Sequence, residues 1–442
     1  MARRQRASPR ACDDCLRRTD LVAALAGRLD VEWRRREAPS RVLALADEVL
    51  VELGGAAVRR RWRAFSADAA RAAVARAGLR VVCRCGSEYP RPLEELPDPP
   101  AVLHVAGRLE ALGDLDRVGI VGARAATSYG REVARELGRT LSHAGVGVVS
   151  GLALGIDATA HEGAILGVAA RAGPPDREAD VAARARLPDR EAGAPDREAD
   201  VTAAAGAADR EADVSAAAGA PHLEADTAIR AGADGPGLAA RGAGMPVAVL
   251  AGGADRPYPA RGHRLHRAVV EAGAVVSEMP PGFGIYRWAF IARNRIIAAL
   301  SRVLVVVEAA ERSGSLTTAD FAAAIGRTVA AVPGRVTSRT AAGTNGLIRD
   351  GAPLVRGTQD VLDLLADVTD APRIAPVQEA RRPPGLDPLV HRVLDRIEQG
   401  HGTLAELART PDESRAVLRA LGELESRGLV ARGFGGRYER AL

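Results

Sequence analysis

The stretch VGIVGARAATSYGREVARELGRTLSHAGVGVVSGLALGIDATAHEG, residues 118 to 163, decides the fold. It reads as two successive apolar strands, each running through a glycine-bearing loop into a helix. The first unit is Val118 to Val121, the loop Gly122-Ala123-Arg124, and a helix over Ser128 to Ala144. The second is Val146 to Val149, the loop Ser150 to Ile156, and a helix starting near Asp157, whose carboxylate can cap free N–H groups there. Strand, loop and helix in this order make parallel βα units. Their loops then lie side by side at the carboxyl ends of the strands, where backbone N–H groups and helix N-termini attract phosphate.

Outward from that stretch the same pattern repeats. Strands are expected at Ala101 to Val105, Val247 to Leu250, Ala274 to Val276, Val303 to Val307 and Thr328 to Val332. Helices are expected over Arg264 to Glu271, Asn294 to Leu300 and Thr318 to Ile325. Strands as uniformly apolar as VLVVV suit a sheet covered on both faces. The expected fold class is α/β, an extended Rossmann-like, doubly wound parallel sheet over residues 89 to 365. A helical N-terminal domain precedes it over 1 to 88, in which Leu53-Gly54-Gly55 resembles the turn of a helix-hairpin-helix or serves as a packing turn. A Pro-rich linker over 366 to 384 leads to 385 to 442, whose order of three helices and a hairpin reads as a winged helix.

One segment breaks the pattern. Residues 168 to 244 carry near-repeats of PDREADV, mostly 13 residues apart, with no Phe, Tyr, Trp, Met or Cys. With so little to bury, this insert is expected to stay disordered. It holds 9 Arg against 14 Asp and Glu, while the whole 442-residue chain is +5, so the remainder leans towards polyanions.

All 61 basic residues are arginine. The absence of lysine rules out a Walker-type GxxxxGK[ST] loop. Gly-Ala-Arg is not G-x-G-x-x-G, and no acidic residue closes the second strand to hold a ribose, so a dinucleotide cofactor is excluded as well. No cofactor is expected. No apolar run approaches the ~20 residues of a membrane span and no signal peptide follows Met1, so a cytoplasmic location is expected. Cys12 and Cys15 form C-x-x-C, and Cys83 and Cys85 form C-x-C. Four thiolates are a possible zinc set, but the second spacing is tighter than usual, and reduced, unliganded thiols are the expectation.

Arg124 puts a guanidinium at a strand end, suited to bidentate phosphate contact. The segment FGIYRWAFIARNR, 283 to 295, gathers Phe283, Tyr286, Trp288 and Phe290 beside Arg287, Arg293 and Arg295. Aromatic planes interleaved with cations suit a single nucleic-acid strand, and a buried aromatic plug is the alternative. Asp157 with His161, Glu278 and Glu308 are the candidates for catalysis, but no Ser or Cys nucleophile with an oriented base accompanies them, and no chemistry is expected.

Taken together, VGAR, SGLALGIDATAH, Tyr-Pro before a helix, SEMPPG, F-x-A-RNRIIA-x-LS, VVVEA-x-x-x-SGSL-x-T, VPG and G-x-N-x-LI-x-x-GA closely resemble the DprA/Smf family of bacterial DNA-processing proteins. The resemblance covers 89 to 365 apart from the insert. It implies a homodimer that is not an enzyme and that binds single-stranded DNA without sequence preference. It further implies protection of incoming DNA in natural transformation and loading of the RecA recombinase. Carried over by motif, the DNA-binding pocket comprises Gly122, Arg124, Ser150, Gly151, Arg293, Asn294 and Arg295. Many members have lysine after the Tyr-Pro; here Ala260 follows, so Arg261 or Arg264 is expected to supply that cation. The family's Phe-Pro is Phe290-Ile291, which keeps the stacking ring. Two other functions compete with this one. A nucleotide or nucleoside-monophosphate hydrolase would use Glu278 or Glu308, although SGSLTT lacks the glycine pair of such sites; a transcriptional regulator would use the winged helix, whose charge is neutral.

Overall fold

The structure is a computed structural model that describes residues 11–34, 42–113, 116–172, 244–258, 262–369, 386–398, 401–408, 410–427, 429–432 and 438–440. The described residues fall in two compact units, divided between Ile374 and Ala375.

The larger unit begins with helices α1 (Asp13–Ala24), α2 (Ala26–Arg34), α3 (Asp47–Arg63) and α4 (Ala67–Arg76). Gly55, at φ 72°, breaks α3 where the Leu53-Gly54-Gly55 turn was expected. Strands β1 (Arg80–Cys83), β2 (Val102–Gly107) and β3 (Arg117–Val121) follow, then α5 (Ser128–His143), β4 (Gly147–Ser150) and α6 (Ile156–Ala172). After 173–243, which include most of the expected insert and lie outside the described residues, come β5 (Val247–Val249), α7 (His263–Ala272) and β6 (Ala274–Ser277). The unit closes with α8 (Arg287–Leu300), β7 (Val303–Val306), α9 (Gly314–Ala324), β8 (Thr328–Ala331), α10 (Ala342–Arg349) and α11 (Thr358–Thr369). Helix α11 thus runs into the start of the expected linker, whose remainder lies outside the described residues.

All eight strands join one sheet in the order β1-β2-β6-β5-β4-β3-β7-β8. From β6 to β8 every pairing is parallel, whereas β2 pairs antiparallel with both β6 and β1. The fold is therefore mixed α/β with a mostly parallel sheet, and the expectation of an all-parallel one is corrected at this edge. Strand β1 lies within the segment assigned to the helical head, so the boundary at 88 does not separate the head from the sheet. A hydrophobic cluster explains why. Leu21, Leu25, Leu29 and Leu50 of the head pack with Met279, Trp288 and Ala292, so separating the head would expose the indole of Trp288, which is fully buried.

Strands β3, β4, β5 and β7 are buried at every position. That burial explains their unbroken apolar sequences, since helices cover both faces. Helices α5 and α6 lie almost backbone to backbone. A Cβ on Gly138 would stand 2.2 Å from the Ala160 oxygen, and one on Gly163 only 2.0 Å from that of Arg135.

The chain passes from β3 through β4 and β5 to β6 on one side, then crosses back by α8 to β7 on the other. The order reverses between β3 and β7, and a crevice opens outside their carboxyl ends at such a switch point.

The second unit holds α12 (Pro388–Glu398), α13 (Leu404–Leu407), α14 (Pro411–Ser426) and an antiparallel pair, β9 (Val430–Arg432) with β10 (Tyr438–Arg440). Capping boxes at Thr403 and Thr410 start the last two helices. Val390, Leu394, Leu421 and Leu424 form its core. Phe434-Gly435-Gly436 of the expected hairpin lie outside the described residues.

Candidate functional site

The crevice at the switch point holds a cavity of about 290 Å³. Its walls come from four places: Gly122 and Arg124 after β3, Ala153 and Asp157 around the start of α6, Phe290, Arg293 and Asn294 on α8, and Ser313 to Ser315 with Thr318 at the start of α9. Sequence segments nearly 200 residues apart thus meet at one opening, because the strand order returns them to neighbouring positions in the sheet.

Arg124 is exposed, and its guanidinium carbon lies 5.0 Å from the centroid of the Phe290 ring. Such a contact is attractive through the ring quadrupole. Tyr258 packs on the same ring at 5.7 Å, tilted by 56°, and leaves nearly half its surface exposed. Arg124 and Phe290 therefore line the opening together, with Tyr258 packed on the same ring. Trp288, two residues before Phe290, is fully buried beneath the head helices. The cluster is divided: Trp288 is a buried plug, while Phe290 lines the crevice. The helix also begins at Arg287 rather than Asn294, so most of the aromatic and arginine pattern is helical.

Helical rotation of about 100° per residue separates Arg293 from Arg295. Arg293 turns to the crevice floor, where Nη1 donates to the Gly151 oxygen at 2.6 Å and to the Val249 oxygen. Burial lowers its pKa to about 10, so it stays cationic at neutral pH. Arg295 turns away. It is 2 % exposed, with Nε 2.8 Å from Asp98 Oδ2 and a bidentate contact to Glu278 at 2.9 and 2.8 Å. Arg295 is thus a buried ion-pair hub, and its expected place in the DNA pocket is corrected. A guanidinium satisfied by two carboxylates has nothing left to offer a phosphate.

Ser150 is corrected for the same kind of reason. It is fully buried and its hydroxyl donates to the Ile120 oxygen at 2.6 Å. Gly151 acts through what it lacks, since a Cβ there would stand 2.2 Å from Arg293 Nη1. Gly122 is likewise pressed against Ile156 and the Glu308 backbone. Asn294 lines the cavity and its amide donates to the Gly314 oxygen at 3.3 Å. Arg264 is exposed on the first turn of α7 and does not line the cavity; Arg261 lies outside the described residues.

Of the two helix N-termini expected to attract phosphate, that of α5 is occupied by a carboxylate, while the carboxylate at the start of α6 turns back to its own loop. Glu308 accepts from the Thr127 N–H at 2.9 Å and from its hydroxyl, filling the start of α5. Asp157 accepts from the Gly151 N–H at 3.1 Å and folds the loop before α6 onto itself. Burial raises the Asp157 pKa, against the pull of Arg293 and the Gly151 N–H. In that loop Leu152 takes φ 54°, the one non-glycine at positive φ among the described residues, and its side chain is buried against Leu250 and Val269. Left-handed backbone costs about 1–2 kcal/mol, and burying a leucine offsets it. The helix that remains open to the cavity is α9, whose N-cap Ser313 stands at the mouth. The helix expected over Thr318 to Ile325 starts four residues earlier, at Gly314, so SGSLTT is its first turn and not a loop before it.

Among the candidates for catalysis, Glu278 is paired to Arg295 and Glu308 to Thr127. His161 is completely buried, and burial lowers its pKa to about 4. It is a neutral core histidine at neutral pH.

The chain is similar to known proteins. A family profile described as DNA recombination-mediator protein A matches residues 80–173 and 233–366, more than half of the chain, and skips much of the repeat insert. A Mycobacterium tuberculosis chain named as a DprA DNA processing protein is 33% identical over 337 residues, covering 71% of this chain and 67% of its own length. Protein Smf of Synechocystis is 27% identical, covering 80% of this chain and 78% of its own. The X-ray structure of DNA processing protein A from Streptococcus pneumoniae superposes with a TM-score of 0.51 at 24% identity, over 79% of this chain and 95% of that one, and so shares the fold. With the profile spanning the sheet and every wall of the crevice, the chain belongs to the DprA/Smf family, the DNA recombination-mediator proteins A.

Proposed function

We propose that this protein binds single-stranded DNA without sequence preference, through the crevice at the β3–β7 switch point. The observation that carries this reading is Arg124 stacked on Phe290 with Tyr258 beside it, above the open start of α9. Exposed aromatic planes stack bases, at about 1–3 kcal/mol per base, and a cation beside a helix N-terminus holds the phosphate between them. A duplex buries its base faces in the stack and cannot use such a platform.

Family membership supports the next step, in which the bound strand is protected during transformation and handed to the RecA recombinase by a homodimer. The second unit, read as a winged helix, has balanced charge and serves as a protein contact in this scheme. Arg264, exposed on the first turn of α7, supplies a further cation for the strand in this scheme, and Arg261 is the other candidate for that role. Loss of RecA loading onto coated single strands in a chain that still binds DNA would separate the two steps.

The test of the binding step is affinity for single- and double-stranded oligonucleotides across a salt series, alongside an assay for hydrolysis of free nucleotides. Strand-selective binding that weakens steeply with salt is expected. Indifference to strandedness, or turnover of nucleotides, would sink the proposal and favour the hydrolase reading. In that reading Glu278 and Glu308 would first have to leave the partners that hold them.

A further inference from the structure

The four cysteines of the chain lie in two short motifs separated by nearly seventy residues, and the fold brings them to one point. Cys12 is the N-cap of α1 and Cys15 lies in its first turn; Cys83 ends β1 and Cys85 follows in the next turn. The sulfurs of Cys12, Cys15 and Cys83 all lie within 4.8 Å of one another. Cys85 stands beside this trio, with its Sγ 3.7 Å from that of Cys15 but not within 4.8 Å of all three, so it is the ligand that moves in to close the set. No pair is joined as a disulfide.

We propose that these four thiolates bind one zinc ion, in a closed structural site that staples α1 to the edge of the sheet. The geometry carries the assignment. A Zn–S bond of about 2.3 Å in a tetrahedron sets neighbouring sulfurs about 3.8 Å apart. The Cys15–Cys85 separation of 3.7 Å matches that edge and is far longer than a disulfide. Cys12 starts a helix without a side-chain cap of its own, and the Cys83 oxygen accepts from the Gly86 N–H at 2.8 Å in a tight turn that swings Cys85 back. That turn is how C-x-C serves as a ligand pair despite its short spacing.

The location gives the site a purpose. The surrounding apolar cluster is small, holding Ala11, Leu16, Ala101 and Val102 besides Cys15 and Cys83. So little apolar surface joins α1 to β1 and β2 that a metal contributes directly to the folding free energy there. Four protein ligands leave no open position for water or substrate, so the ion is structural and not catalytic.

The experiment uses the full chain, expressed without a histidine tag, and measures metal by mass spectrometry before and after treatment with a mercurial that blocks thiols. One equivalent of zinc, released in step with thiol modification, is expected. Cobalt added to the metal-free chain should give the visible absorption of tetrahedral tetrathiolate Co(II). Cys85→Ser, at the most exposed ligand, should keep cobalt binding but shift that spectrum towards three sulfurs. Cys12→Ser with Cys83→Ser should abolish it. A well-folded chain that carries no zinc and gives no thiolate–cobalt spectrum overturns the proposal, as does a Cys12–Cys15 or Cys83–Cys85 disulfide in the freshly purified protein.

Discussion

Arg293 and Arg295 stand two residues apart on the same helix and are both buried, yet they belong to different regions of the molecule. Arg293 caps two backbone oxygens at the floor of the crevice, with Arg124 nearby and one buried carboxylate, Asp157, to balance it. Arg295 sits on the far side of α8, locked between Asp98 and Glu278. The first region keeps cationic charge next to a solvent-filled cavity, while the second consumes its charge to hold the Asp98 segment and the end of β6 against α8. An arginine-rich motif is therefore no measure of a binding surface. What matters is how many carboxylates the fold delivers to each guanidinium.

Substitution at the two positions gives the largest contrast. Arg295→Ala strands two buried carboxylates and should cost about 3–5 kcal/mol, read as a lowered denaturation midpoint. Arg293→Ala removes hydrogen bonds to two backbone oxygens and should cost only about 1–3 kcal/mol. Equal losses would break the distinction between a hub and a lining residue.

Acid should act through buried imidazole. Burial lowers the pKa of His161 to about 4, and that of His104 likewise. Each fold-state pKa lies below the unfolded value of about 6.5, so the stability they contribute is full above about pH 6.5 and is lost as pH falls through about 4, up to about 3 kcal/mol for each group. His161 faces Arg293, whose positive charge opposes its protonation. His161→Gln should therefore flatten the acid limb of a stability–pH curve by about one proton, while His104 leaves its own share in place. An unchanged acid limb would show that His161 titrates normally and is not sealed beneath the crevice.

Binding should respond only at the crevice. Phe290→Ala should weaken oligonucleotide binding by about 1–3 kcal/mol. Arg124→Ala should lose about tenfold and lower the salt slope by about one, with an unchanged melting temperature for the folded chain. Affinity that falls as far for a conservative Arg295→Lys as for Arg124→Ala would return Arg295 to the binding surface. The smallest effect is expected from Gly151→Ala, whose new methyl displaces the Arg293 guanidinium without touching Arg124. A few-fold loss of affinity, measured by fluorescence anisotropy, would place Arg293 among the groups that set the crevice floor.

The strands and most helices of the α/β unit were legible because their sequences carry local signals: unbroken apolar runs, glycine loops and caps. Helix α8 begins seven residues before its expected start at Asn294, since the aromatic run Phe283 to Phe290 leaves a binding cluster and a buried plug equally open until Trp288 is seen to bury its ring among head residues from far upstream. Strand β1 was missed because four residues, RVVC, carry too little pattern to be told from a helix end. Its partner β2 lies nearly twenty residues downstream, and only the paired register makes it part of the sheet.

Within the site, sequence by itself determined that two glycine loops and an arginine would stand at strand ends, because parallel βα units place loops there whatever else surrounds them. It also determined membership of the family, through the ordered motifs. The tertiary structure alone decided which groups are open. Glu308 closes one helix N-terminus and Asp157 folds a loop shut, both by contacts that no local spacing encodes. Helix α9 and Arg124 line the crevice together, with Asp157 turned to the Gly151 N–H, and the two arginines of α8 part because a helix turns them towards different neighbours.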